Sequence, residues 1–78
     1  MDFFKKRVRQ FQEKKLGEIL NKIQFHEYAK NQLEKKKREN KNDETAKIIE
    51  EIAFNEKMIR IWQNNEKKLR HQMNDMED

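Results

Sequence analysis

From Thr45 onward, apolar side chains return at alternating steps of three and four along Ile48, Ile52, Ile59, Trp62, Leu69, Met73 and Met76. These are the a and d positions of a heptad, with Asn55 and Glu66 as the two polar departures. A seam this regular predicts one long helix packed lengthwise on another. Ile49 and Met58 flank it and widen it toward the broader stripe of a bundle helix.

In the first half the apolar stripe reads Phe4, Val8, Phe11, Lys15, Ile19, Ile23, His26, Lys30 and Leu33. Its steps of four around Lys15 predict a stutter, with Leu16 and Leu20 supplying the contacts that Lys15 cannot. On this reading Phe4, Val8 and Phe11 belong to the seam, and Lys5, Lys6, Arg9 and Lys14 to the wet side. Gly17 is expected to mark a bend or a close helix crossing.

Between the halves, KKKRENKNDETAK is the one window without apolar periodicity. It predicts a turn over about 39–43 between a helix at about 3–38 and a second at about 44–75. Asn40 or Asn42 would end the first helix, Asp43 would cap the second with Glu44 in its first turn, and the cations at 35 to 38 suit a helix C-terminus. Gly occurs once and Pro never, so nothing forces the break, and a single continuous helix is the alternative. A reversal near residue 41 sets Leu33 beside Ile49, Ile23 beside Ile59 and Ile19 beside Trp62. Charge agrees with it: residues 30 to 41 hold six basic and two acidic side chains, residues 42 to 56 one basic and five acidic.

The fold class is therefore all-α, a two-helix antiparallel hairpin forming a single domain. Phe25, Tyr28, Phe54 and Ile61 fall off its seam and need cover. Two occupants are considered, a second copy that completes a four-helix bundle as a homodimer and a different protein.

Composition narrows the chemistry. Cys and Ser are absent and Thr45 is the one threonine, so nucleophilic catalysis by a thiol or a serine is excluded and no enzyme is expected. His26 and His71 are the two imidazoles, and neither carries the Glu-x-x-His signature of a di-iron bundle. His71 with Asp75 one turn on reads as a solvated pair, so neither metal nor cofactor is expected. No apolar run is long enough to span a bilayer and no secretory leader is visible, which points to the cytoplasm. The Lys, Asn, Ile and Glu bias is that of an AT-rich bacterial or phage genome.

With 19 basic against 15 acidic residues, nucleic acid is the competing partner, through Lys5, Lys6, Arg7, Arg9, Lys67, Lys68 and Arg70. Acidic residues interrupt each basic block, and neither a helix-turn-helix nor an RNA-binding sheet signature is present. A membrane surface gripping residues 1 to 15 is the weaker reading, because their aromatics are assigned to the seam.

The stretch LNKIQFHEYAKNQL, residues 20 to 33, resembles a segment of the AbbA-type antirepressors through Leu20, Asn21, Ile23, His26, Glu27, Tyr28, Ala29 and Leu33. That family consists of small helical proteins that bind a transcription regulator and keep it from DNA, with acidic side chains in place of phosphates. The resemblance implies a helical regulator that docks on a bacterial or phage protein. This chain departs from the pattern in being basic and in its longer second helix.

Overall fold

A computed structural model describes residues 2–39 and 44–75. Two helices account for them, α1 (Asp2–Glu39) and α2 (Thr45–Asp75), lying antiparallel along a rod 62 Å long and about 14 Å across. The bounds match the sequence reading to within a residue, while the expected caps Asn40, Asn42 and Asp43 lie outside the described residues, as does Met76. Lys36, Lys37 and Arg38 occupy the last turn of α1, where cations complement the helix dipole. Glu44 sits one position before the first turn of α2 rather than in it, and its carbonyl accepts the Ile48 N–H at 3.0 Å.

Along α2 the heptad governs burial throughout. Ile48, Ile52, Asn55 and Leu69 are buried, and Thr45, Ile59, Trp62, Glu66 and Met73 are half-buried. The two departures from apolar character are thus accommodated in the seam rather than turned out of it. Ile19 and Ile23 of α1 pack with Leu69, and Leu16, Trp62 and Met73 close around them. The expected register is close to the observed one: His26 reaches Asn55, where a turn centred at residue 41 puts Glu56 opposite it. Lys30 reaches Glu56 at 3.6 Å and Glu34 at 3.9 Å. Both pairs are half-exposed and open to salt screening, so they bias register and contribute at most about 1 kcal/mol each.

The first half of α1 corrects the sequence reading. Phe4 and Phe11 are 74% and 66% exposed, Lys15 is exposed, and Gln12 is buried. Gln12, Leu16, Ile19, Ile23, His26, Lys30 and Leu33 are buried or half-buried in an unbroken alternation of four and three, and Val8, expected in the seam, is half-buried, as are Gly17, Ala29 and Glu34. No stutter exists, because the seam passes through Gln12 and Leu16 instead of Phe11 and Lys15. Leu20, expected to support the seam, is 40% exposed on its flank. Length supplies the second cause. At about 1.5 Å per residue α1 is roughly 10 Å longer than α2, so its first turns run past the last described residue of its neighbour. Residues 2 to 7 are all exposed.

Gly17 marks neither a bend nor a crossing. Its φ is negative, α1 is continuous through it, and a Cβ built there meets nothing within 4 Å. Glycine costs helix stability through backbone entropy, so Gly17→Ala is expected to raise the unfolding free energy by about 0.5–1 kcal/mol. A urea titration followed by circular dichroism reads this directly, and a lower midpoint for the variant would mean the position needs glycine after all.

Candidate docking face and its polar pin

His26 and Asn55 meet in the middle of the seam. The imidazole Nδ1 lies 2.9 Å from Asn55 Oδ1, and Asn55 Nδ2 donates to the Glu51 carbonyl at 2.8 Å. The second bond fixes the amide, because only its nitrogen can donate to a carbonyl. Oδ1 must then accept, and His26 must carry its proton on Nδ1. Asn55 uses α2's own backbone as a brace and presents its oxygen to α1. The apolar layers on either side, Ile19, Ile23 and Leu69 on one and Ile48 and Ile52 on the other, are thereby separated by a single polar layer.

Two exposed phenylalanines flank this layer from opposite helices. The Phe25 ring stands edge-on to His26 at 5.2 Å between centroids, and Phe54 of α2 does the same at 6.4 Å. A ring from each helix on one imidazole requires both to lie on the same broad side of the hairpin. Heptad position extends that side in both directions. Phe4, Phe11 and Phe25 share one position of the α1 repeat, immediately before a seam residue and with Glu18 between the last two, and Phe54 and Ile61 share the equivalent position of α2 between Lys47 and Lys68. Lys22 places its ammonium 5.3 Å from the Trp62 ring centroid on this side as well. An open depression lined in part by Lys22, Phe25 and His26 lies beside the pair.

The four residues expected off the seam are all exposed: Phe25 and Tyr28 at 65%, Phe54 at 57% and Ile61 at 40%. The structure groups three of them. Tyr28, three residues beyond Phe25, is rotated about 60° further from α2 and lies on the back of α1. His26 was read as a residue of the core stripe and Asn55 as an offender in α2, and their pairing across the helices was missed. The available signal was that both interrupt their stripes near the same level of the hairpin.

The opposite broad side differs in character. Leu20 and Ile49 are its exposed aliphatic residues, set among Glu13, Glu27, Glu34 and Glu56. Phe4, Phe11, Phe25 and Phe54 therefore lie on one broad side, among charged residues such as Lys15, Glu18, Lys22 and Lys68, and Phe3 is an exposed aromatic residue on the other.

Of the cations named from sequence, Lys5, Lys6, Arg7 and Arg9 are exposed on the projecting turns of α1, and Lys67, Lys68 and Arg70 are exposed near the end of α2. Antiparallel packing brings both groups to one end of the rod. They encircle that end rather than line one face, since consecutive helix positions point about 100° apart. Arg7 lies over the Phe3 ring at 5.8 Å, and Arg70 bonds Glu66 at 2.7 Å. Among the described residues no group of three His, Asp or Glu is placed to hold a metal ion, and no helix is long and apolar enough to cross a membrane.

No family model, curated protein or solved structure matches the chain.

Removing Asn55 leaves the half-buried His26 Nδ1–H without this partner, so Asn55→Ala is expected to cost about 0.5–1.5 kcal/mol. A double-mutant cycle with His26→Ala, read from urea denaturation, should recover a coupling of roughly 1 kcal/mol. Strict additivity of the two changes would mean that the bond contributes nothing to folding.

Proposed function

We propose that this protein is a non-enzymatic helical hairpin that works in the cytoplasm by docking on other polypeptides and altering what they do, in the manner of a small bacterial or phage regulator. The observation that carries this reading is the cluster of Phe25 and Phe54 on either side of His26, with Ile61 in the same row as Phe54. Aromatic side chains left more than half exposed on one side of a short rod are costly in water, and such anchors supply most of the energy of protein interfaces. The absence of Ser and Cys from the sequence supports action through binding.

The test is capture of a partner from the native host by the tagged full-length chain and by a Phe25→Ala, Phe54→Ala, Ile61→Ala variant. Loss of anchors of this kind should weaken a specific complex at least about 30-fold, with Tyr28→Ala tested separately to ask whether the back of α1 takes part. A complex held equally well by the triple variant would remove the aromatic side from the account.

Nucleic-acid binding is the second reading, favoured by one observation: Lys5, Lys6, Arg7 and Arg9 share an end of the rod with Lys67, Lys68 and Arg70. Binding through that end would weaken steeply with salt in proportion to the phosphates neutralised. Gel-shift titrations at low and moderate salt are expected to show that slope, and no shift at low salt excludes the reading.

A further inference from the structure

A rod with one aromatic side raises the question of what covers it. Resting on the docking reading above, we propose that its first occupant is a second copy of this chain, packed aromatic side to aromatic side with the two rods antiparallel. Three observations on the molecule lead there.

The first is a shortfall in the core. The buried apolar residues are Ile19, Ile23, Ile48, Ile52 and Leu69, and none of the described residues has a fully buried large side chain. Chains of this size usually need a disulfide, a metal or association to supplement so small a core. The sequence has no Cys, and no metal-holding group occurs among the described residues, which leaves association as the available supplement.

The second is area. Phe4, Phe11, Phe25 and Phe54 are between 57% and 74% exposed, and a buried aromatic ring hides 150–250 Å², so these four offer roughly 400–650 Å² per copy. A stable interface needs about 800 Å² from each partner. Ile61, with the half-buried Met58 and Trp62, adds further apolar area on the same side.

The third is charge, which sets the orientation. Among the described residues, 2 to 16 and 57 to 75 place eleven basic and four acidic side chains at the open end of the rod, and Glu77 and Asp78 follow in the sequence. Residues 30 to 56 hold seven of each. Parallel packing would set two net cationic ends side by side. Antiparallel packing sets each cationic end against a balanced one, and brings Phe11 of one copy toward the level of Phe54 of the other. A twofold axis across the rod satisfies both requirements with a single self-complementary patch. Tyr28 stays on the outside of the resulting four-helix bundle, available to whatever the dimer regulates.

The experiment is the mass of the full chain by sedimentation equilibrium over about 1–200 µM, with helix content measured on the same samples. The wild type should move to twice the 9.8 kDa monomer mass as concentration rises. Phe25→Ala with Phe54→Ala should weaken association at least about 30-fold. Both positions are exposed in the single chain, so loss of helix in that variant would equally mark them as covered in the native state. Leu20→Ala with Ile49→Ala, exposed on the opposite side, should leave the mass unchanged. A wild type that remains monomeric, or a control pair that dissociates as readily as the phenylalanine pair, overturns the proposal. A monomer that still loses its host partner in the triple variant ends the second-copy assignment but spares the docking reading. A monomer whose capture is indifferent to the variant ends both. Because the chain has no cysteine, Gln10→Cys carries a single spin label near the open end, and antiparallel rods should hold two such labels beyond about 30 Å. Labels within about 20 Å would overturn the orientation.

Discussion

Two helices can bury only the stripe along which they touch, and in this protein that stripe is narrow. Ile19, Ile23 and Leu69 form one apolar segment, Ile48 and Ile52 are buried nearer the turn, and every other large apolar side chain among the described residues is half-open or fully open. The limit is geometric rather than compositional. The sequence holds 17 Leu, Ile, Val and Phe residues, but an antiparallel pair has no third element to receive those that point sideways. From this follow the exposed phenylalanines and the difference between the two broad sides.

Within that stripe the His26–Asn55 layer addresses a different problem. Isoleucine layers in successive heptads are nearly interchangeable, so a hairpin built only of them could slide with little loss of apolar contact. A buried donor that fits one acceptor at 2.9 Å penalises every register but one, because any slip strands both groups in the seam. The bond to the Glu51 carbonyl makes Asn55 a rigid acceptor, which sharpens the penalty. Trp62 shows the reverse situation on the same side: its buried Nε1 has no hydrogen-bond partner among the described residues, while Lys22 lies over the ring. An indole N–H left in that state costs stability. Apolar packing and the cation over the ring hold it there.

How much of this was legible varied along the chain for physical reasons. In α2 the apolar residues and the contact stripe coincide, so periodicity alone located every buried position from Ile48 to Leu69. In α1 they diverge. Phe4 and Phe11 dominate any hydropathy reading of the first turns, yet the contact stripe passes beside them through Gln12, a polar residue that no such reading selects. What decides the matter is the path of the contact stripe, a property of the pair that is invisible in α1 alone. The same holds at the centre, where His26 and Asn55 each look like a blemish until the register sets them face to face. The exposed face was legible in part: Phe25, Phe54 and Ile61 were recognised as unpartnered, but the continuation of their row through Phe11 and Phe4 was hidden by the misassigned seam.

Thin cores and exposed anchors are two views of one equilibrium. A ligand that binds only the folded hairpin stabilises it by mass action, and the effect grows with the logarithm of ligand concentration over the dissociation constant. For a large single domain this is a correction to an already adequate stability. For a rod whose buried apolar residues are Ile19, Ile23, Ile48, Ile52 and Leu69, it is comparable with the whole margin. Folding and docking are then not separable stages, and any change on the aromatic side should be felt in helix content as well as in affinity. The opposite side is under no such coupling, since Glu13 and Glu27 there are exposed to water in the single chain.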